Sequence, residues 1–513
     1  MAHNEDCSLH TLIKTMSKSE KRQFRIYVQR YNSNTDAKFL ALFDCLSKLK
    51  KYDEHYILAN TSISKRQIAN VKQHLYSQIL KALSTVSQQK NIKIELREQL
   101  DFATILYNKG LYKQSLKLLD KAKNKALEHF ENTIAFEIVE FEKLIESQFI
   151  TRSLSTRSDD LAIKAKELSM SNVLNSKLSN LSLQLYSFFL KFGYAKSEED
   201  LIKASSYYYK HLPSFEYKQL GFREELFLSM SQLWHSLIIQ DFVGGYRNAT
   251  RWVNLFDKYS NMKKHYPVFY LKGANYLLES LYFLRYKSMF TEKLNEFSLT
   301  IHNSNFPKND NIKTLIFLYE NYHQINLHFL TGKFENGIIL IPDIEKNLVT
   351  LQYKVDEHHK MVFNYKFACL YFGKDDHENC ITYLNKIINN KQLGMREDLL
   401  CFSRILRLIS YYEAGRDELL EVYIKDTFRF LIKMNDLHLV QKEIISFLKK
   451  LNKIYPHELK NAFKHLHQKL KSIENHPFEK RPFLYLDILS WLEGKINNKS
   501  IQTIVLEKVK NMK

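Results

Sequence analysis

Apolar residues recur every three to four positions along most of this chain, which is the spacing of one face of an α-helix. The first such stripe follows a capping-box pattern at Ser17 and Glu20, where a helix is expected to begin. Two more stripes follow, at about residues 37–51 and from Ser64 onward. Together the three stripes predict a compact basic helical module over residues 15–90.

Residues 1–14, in front of this module, are interpreted as a flexible tail. Over residues 91–432 the pattern becomes two amphipathic segments around a turn of glycine or small polar residues. The turns are predicted near Gly110, Arg152, Gly193, Gly244, Tyr286, Gly332, Asp375 and Gly415. Their spacing of roughly 40–50 residues is typical of stacked helical hairpins. Residues 433–513, which three prolines interrupt, are interpreted as a C-terminal helical cap.

These hairpins resemble the tetratricopeptide repeat, whose second helix reads roughly Gly-x-Tyr-x-x-Ala before further aromatic and alanine positions. The residues that match this register in the clearest copy are Gly110, Tyr112, Ser115, Leu119 and Ala122. Further copies start at Gly244 and Gly332, with a period longer than the 34 residues usual for the family. The resemblance implies an all-α fold: a right-handed superhelical stack of helical hairpins, a tetratricopeptide-like α-solenoid, with a small helical N-terminal module.

In that family the first helix of each hairpin lines a concave surface that binds peptides. The resemblance implies that the matching positions in this chain are Arg97, Thr104, Tyr107, Asn108, Tyr322, Asn326, Phe329, Tyr365, Tyr412 and Glu413. Aromatic rings and amides there can hold an extended chain and satisfy its backbone groups. For any one of these aromatic residues, packing inside the core or between repeats is the alternative. The first hypothesis is therefore a non-enzymatic scaffold for a protein or peptide partner.

The charge distribution adds a second hypothesis. Of the net charge of +20, residues 1–93 contribute +9 (16 Lys and Arg, 7 Asp and Glu), and residues 449–513 contribute +8 (14 against 6). The basic residues expected to contact phosphates are Lys18, Lys21, Arg22, Arg25, Lys65, Arg66 and Lys72. The chain would then be a regulator whose N-terminal module binds nucleic acid and whose repeats sense a partner or peptide. A solvated basic face is the alternative for these residues.

Sequence motifs for catalysis are missing: the chain contains no GxxxxGK[ST], HExxH or GxSxG pattern. The 5 cysteines form no CxxC pair, which predicts reduced thiols rather than disulfides. We expect no enzyme activity, no metal and no cofactor. A helical-repeat enzyme is the third hypothesis, because catalytic triads need not be close in sequence. No apolar run has the length of a membrane span and the N-terminal residues lack a signal-peptide core, which predicts a cytoplasmic protein.

Overall fold

The computed structural model describes residues 8–31, 38–87, 91–148, 157–216, 220–351, 355–390, 397–434, 438–451, 454–474, 476, 478, 483 and 487–511. Within these ranges the chain forms α-helices joined by turns and no strand, so the predicted all-α class is confirmed. The chain divides into two compact units, Met1–Ser169 and Met170–Lys513. The sequence-based domain limits at residues 90 and 432 do not coincide with this division.

The helices of the first unit, numbered along the chain, are α1 (Ser8–Thr15), α2 (Lys18–Tyr31), α3 (Lys38–Lys48), α4 (Glu54–Asn60), α5 (Ile68–Ser87), α6 (Ile92–Asn108), α7 (Tyr112–Glu128), α8 (Asn132–Gln148) and the first part of α9 (Arg157–Phe192). They build two hydrophobic cores. Helices α1 to α5 surround Phe24, Leu42 and Phe43, whereas α6 to α9 surround Leu119 and Ile138. The boundary between the two hydrophobic cores of the first unit therefore lies between α5 and α6.

Residues 8–14 differ from the flexible tail predicted over residues 1–14. They form most of α1, which buries Leu9 and Ile13 in the first core because the two residues lie four positions apart on one helix face. His10 is also buried and donates from Nε2 to the carbonyl oxygen of Leu49 at 3.1 Å. Residues 1–7 lie outside the described part of the chain. The tail is thus, from residue 8 onward, an ordered part of the helical module.

The predicted capping box at the start of α2 is confirmed. The backbone N–H of Ser17 donates to Glu20 Oε2 at 2.7 Å, and the N–H of Glu20 donates to Ser17 Oγ at 3.2 Å. Each side chain therefore satisfies a backbone donor that the first helical turn leaves without a partner.

The helices of the second unit continue from the end of α9 as α10 (Glu198–His211), α11 (Phe222–Ile238), α12 (Phe242–Lys258), α13 (Met262–His265), α14 (Pro267–Phe283), α15 (Lys287–His302), α16 (Asp310–Thr331), α17 (Phe334–Ile339), α18 (Ile341–Thr350), α19 (Glu357–Gly373), α20 (His377–Ile388), α21 (Glu397–Glu413), α22 (Asp417–Lys433), α23 (Leu439–Lys450), α24 (Leu459–Ile473), α25 (Ile488–Asn497) and α26 (Ile501–Asn511). Neighbouring helices pack on one another, and alternate helices such as α12 and α14, or α19 and α21, also touch. Residues from α16 to α26 share one hydrophobic core.

One turn geometry recurs between consecutive helices of both units. Its central residue has positive φ, and the positions are Gly110, Phe130, Gln240, Arg285, Gly332, Asp375 and Gly415. At Gly332 the N–H donates to the Phe329 carbonyl oxygen, and the next N–H, of Lys333, donates to the His328 carbonyl oxygen. This is the Schellman pattern that closes a helix C-terminus. In the second unit the five copies are 45, 47, 43 and 40 residues apart.

The predicted turn at Gly244 is wrong by four residues. Gly244 lies in the first turn of α12, and Gln240 provides the left-handed residue instead. The side chain of Asp241 caps α12 by accepting a hydrogen bond from the Gly244 N–H at 2.8 Å, which places the glycine inside the helix. The turn at Phe130, where a phenylalanine adopts the left-handed conformation, is not among the predicted turns. The turn predicted near Arg152 lies outside the described residues.

Candidate functional site

Helices α14, α16 and α19 of the second unit surround a cavity of about 160 Å³, which α26 and Asp487 close from another side. Ten of its 21 lining residues are aromatic, and these include Tyr282, Tyr322, Phe329 and Tyr365. A cavity of about 150 Å³ in another protein holds benzene, so this cavity has room for a small organic group.

One cation projects among these aromatic rings. Lys366 of α19 is only 8% exposed, and its Nζ donates to Asn326 Oδ1 at 2.5 Å. Nζ also lies 4.1 Å from the ring centroid of Tyr322 and 5.4 Å from those of Tyr282 and Phe329. The negative faces of aromatic rings attract a cation, so three rings and one amide oxygen surround the ammonium group.

A chain of hydrogen bonds fixes the amide that holds Lys366. Because Asn326 Oδ1 accepts from Lys366, the amide nitrogen donates to His323 Nδ1 at 3.3 Å. His323 is then protonated on Nε2, which donates to Asn275 Oδ1 at 3.0 Å. Asn326 and His323 are fully buried. Side chains of α14, α16 and α19 therefore act together to hold one ammonium group in place.

Burial controls the ionisation of these groups. It lowers the pKa of Lys366 to about 8, and the nearby Cys369 and Glu279 offset only part of that effect. Burial, followed by the charge of Lys366, holds the pKa of His323 well below its usual range. Burial also raises the pKa of the Cys369 thiol to about 12, so this cysteine stays protonated at neutral pH. The cavity is thus lined by a neutral thiol and one desolvated amine, and the imidazole behind Asn326 is neutral.

A carboxylate, that of Asp487, lies at the edge of the cavity. Asp487 caps α25 and accepts from the N–H and Oγ of Ser490 at 3.1 and 2.7 Å. Burial acts to raise the pKa of Asp487, but Arg285, Lys508 and the Ser490 hydrogen bonds outweigh it and lower the pKa. The charges of Arg285 and Lys508 therefore favour the ionised form of Asp487, and Lys508 also forms an ion pair with Glu493 at 3.0 Å. Among the described residues, no carboxylate forms an ion pair with Lys366.

Four residues of the predicted concave surface meet at this cavity. Tyr322, Phe329 and Tyr365 line it, and Asn326 binds Lys366. Sequence reasoning missed Lys366 itself, although a signal was present. Lys366 is the only charged residue between Met361 and Gly373, in a helix that is otherwise apolar or polar and uncharged over that stretch.

Two other predicted positions are engaged within the protein. Glu413 accepts from Trp491 Nε1 at 2.7 Å and forms an ion pair with Lys495. The ring of Tyr412 packs near that of Phe463, with 6.4 Å between centroids. Both residues therefore join α21 to the C-terminal helices, and their side chains are not free to hold a partner.

The remaining concave-surface positions lie on α6 in the first unit. Arg97, Thr104 and Asn108 are exposed there. The Tyr107 hydroxyl donates to Gln148 Oε1 at 2.5 Å, and its ring packs against Phe141.

Some of the predicted phosphate-contacting residues are exposed, and others form ion pairs within the first unit. Lys18, Arg22, Lys65 and Arg66 are exposed, and Lys21 is half-buried. Two others have acidic partners. Arg25 forms an ion pair with Asp44 at 2.7 Å, and Lys72 forms one with Glu54 at 3.0 Å while also contacting Tyr52. Partial burial, and then the charges of Lys14 and Arg25, lower the pKa of Lys21.

The described residues contain no group of three or more His, Cys, Asp or Glu side chains placed to hold a metal ion. None of their helices combines the length and the apolar character that a membrane crossing requires. Compared with protein-family models, curated proteins and solved structures, the chain gives no match.

Proposed function

We propose that this chain is a non-enzymatic binding protein. Its hairpins, similar to tetratricopeptide repeats and stacked in a right-handed superhelix, would take up part of a protein or peptide partner. The observation that carries this proposal is the meeting of Tyr322, Asn326, Phe329 and Tyr365 at one aromatic cavity. The regular spacing of the Schellman turns in the second unit supports the stacked-hairpin part of it.

The cavity has the properties of a preorganised binding pocket. Its aromatic side chains offer large apolar surfaces and have few rotatable bonds, so ordering them on binding costs little entropy. Helices rather than loops position them, and the Lys366–Asn326–His323 hydrogen bonds fix the polar group. Binding rather than group transfer is favoured because burial keeps the Cys369 thiol protonated, so its nucleophilic thiolate does not form at neutral pH.

Affinity purification from lysate of the source cells tests this proposal. The bait proteins are the wild type, Tyr322→Ala and Tyr365→Leu, with Tyr455→Ala as a matched control because Tyr455 is 67% exposed and does not line the cavity. A protein retained by the wild type is then purified and titrated calorimetrically. We expect each cavity variant to weaken its binding at least tenfold and the control to change it less than twofold.

Equal retention of that partner by all four baits, with unchanged circular dichroism spectra, would overturn the proposal. So would the lack of any protein retained by the wild type above the level of an unrelated helical bait.

A nucleic-acid-binding regulator is a second candidate. It is favoured by the cations that gather on α1 and α2, where the charges of Lys14 and Arg25 add to partial burial in lowering the pKa of Lys21. The exposed Lys18, Arg22, Lys65 and Arg66 would then contact phosphates. Replacing these four by Gln should reduce the salt dependence of binding to a fluorescent duplex, whereas Lys203→Gln and Lys425→Gln should not. No binding of the wild type in low salt excludes this function.

A further inference from the structure

The charge of Lys366 lacks a matching anion within the described protein. An ammonium group carries three N–H donors, and the contacts found for Lys366 are one amide oxygen and three ring faces. Glu279 also lines the cavity, and its field acts on Lys366, but burial outweighs it. An anion brought next to Nζ would thus gain a strong charge-assisted hydrogen bond in a desolvated place.

The arrangement of the hydrogen bonds favours an anionic ligand over a cationic or neutral one. Asn326 presents its oxygen to Lys366, so the lysine donates there, and the other contacts of its ammonium group are ring faces that leave N–H donors available to an acceptor on the ligand. At the edge of the cavity the charges of Arg285 and Lys508 already favour the ionised form of Asp487. A cationic ligand would meet the charge of Lys366, with which no described carboxylate forms an ion pair, and a polyhydroxylated ligand would leave its hydroxyls unpaired against the rings.

The size and the walls of the cavity restrict the ligand further. About 160 Å³ has room for one aromatic ring, and a carboxylate carried by that ring would then lie at the Lys366 ammonium group. One lysine matches a monoanion, whereas a phosphate dianion requires several donors in convergent positions. The exposed Arg285 and the half-buried Tyr322 and Phe329 show that the cavity reaches the surface on their side.

We propose that this cavity binds a carboxylate carried on an aromatic or similarly compact apolar group, with the carboxylate on Lys366 and the apolar part on the rings of Tyr282, Tyr322 and Phe329. This inference rests on the proposed binding function and specifies its chemistry. The carboxylate can come from the C-terminal residue of a partner chain or from a free small acid. Both kinds of ligand would make the same contacts in the cavity, and the experiment below distinguishes them.

The test uses the full chain and calorimetric titration at pH 7. The first probes are 3-phenylpropionate, its neutral analogue 3-phenylpropanamide and its cationic analogue 3-phenylpropylamine. We expect the acid to bind at least tenfold more tightly than the amide, and the amine not to bind. Lys366→Met should remove the preference for the acid, while Lys272→Met should keep it, because Lys272 is a partly buried lysine of the same unit that does not line the cavity.

The second probes are a hexapeptide that ends in phenylalanine with a free carboxylate and the same peptide with a C-terminal amide. Tighter binding of the acid peptide than of 3-phenylpropionate identifies a partner C-terminus, and the reverse order identifies a free small acid. Thermal unfolding of each variant ensures that the compared proteins are folded.

Equal binding of acids and amides, an unchanged preference in folded Lys366→Met, or no binding of any carboxylate at 10 mM overturns this inference. These failures differ from failure of the proposed function. If a purified partner still depends on Tyr322 and Tyr365 but not on Lys366, partner binding stands and the carboxylate chemistry is wrong.

Discussion

At the scale of single residues, Lys366 combines two opposing effects. Burial removes the hydration of the ammonium group, which lowers its pKa to about 8. The rings of Tyr322, Tyr282 and Phe329 and the oxygen of Asn326 return part of that hydration energy. The charge therefore persists at neutral pH but reduces the stability of the folded state, as expected of a group kept for binding.

Lys366 should make the stability of the protein increase with pH over the range in which it titrates, whereas the buried Cys369 thiol, whose pKa burial raises, acts in the opposite direction. The folded-state pKa is about 8 and an unfolded lysine has its pKa near 10.5, so between these values the unfolded chain binds more protons and each rise in pH favours folding. From pH 7 to pH 9.5 the free energy of unfolding should gain about 2 kcal/mol from this group. Urea unfolding at constant ionic strength measures it.

Lys366→Met provides the control for this pH dependence, since the variant has no titrating group at this position. It should lose the 2 kcal/mol gain, to within the error of the extrapolation. The same increase in wild type and variant would assign the effect to another group.

The residues of the candidate site show how far sequence reasoning reaches at this scale. The helical register placed Tyr322, Asn326 and Phe329 on one face of α16, because positions three and four apart share a helix face. The register contains no information about the neighbouring helix that meets that face. Tyr412 and Glu413, predicted by the same argument, are covered by α24 and α25 from far along the chain.

At the scale of the elements, the Schellman turns explain why glycine alone is an incomplete signal. Gly110, Gly332 and Gly415 adopt positive φ at no steric cost, whereas Gln240 and Asp375 adopt the same conformation with side chains. In the second unit, five pairs of consecutive helices are joined by turns that have the same two hydrogen bonds. These turns form regardless of the residue at the centre. Packing of the two helices therefore decides the turn geometry, and the local sequence decides only its strain.

Gly415→Ala should isolate this strain. Gly415 has a φ of +67°, and an added Cβ would meet no atom within 4 Å, so the loss comes from the backbone conformation alone. We expect a loss of about 1 kcal/mol in the free energy of unfolding. Gly415→Asn is the matched variant, and its loss should be smaller because asparagine tolerates this conformation. Equal losses for the two variants would contradict a purely conformational origin.

Gly273→Ala tests the close approach of α12 and α14. A Cβ at Gly273 would lie 2.9 Å from Cδ1 and Nε1 of Trp252, which is fully buried and cannot move aside. Overpacking of this kind costs about 1–3 kcal/mol, and the variant should also shift the Trp252 fluorescence. Gly245→Ala in α12 is the control, because its nearest atom would be 3.5 Å away and alanine favours the helix. Destabilisation by Gly245→Ala instead of Gly273→Ala would refute this packing.

At the scale of the whole molecule, contacts between distant parts of the chain complete the second unit. Trp491 is 1% exposed, belongs to the core that begins in α16, and donates to Glu413, which is 78 residues earlier. Val505 and Leu506 of α26 lie beside Gly332, close enough that a Cβ there would meet them at 3.1 and 3.3 Å. The C-terminal helices thus share the core of the hairpins that precede them and also close the cavity.

Trp491→Ala should therefore destabilise the second unit by about 3–5 kcal/mol, since it removes the largest side chain of this junction and leaves a cavity. Trp491→Phe keeps a ring and loses the hydrogen bond to Glu413, so it should cost about 1–3 kcal/mol. Urea unfolding followed by circular dichroism measures both. A loss below 1 kcal/mol for Trp491→Ala would show that α25 does not support the core.

The sequence by itself determined the all-α class, the capping box at Ser17 and the turns at Gly110, Gly332 and Gly415. These features depend on residues at most a few positions apart, whose periodicity and backbone preferences act locally. Only the tertiary structure decided that α1 is buried, that Glu413 is covered by Trp491, and that Lys366 lies inside an aromatic cavity. Each of these depends on which distant helix covers a given face, a choice made by packing and desolvation over the whole core.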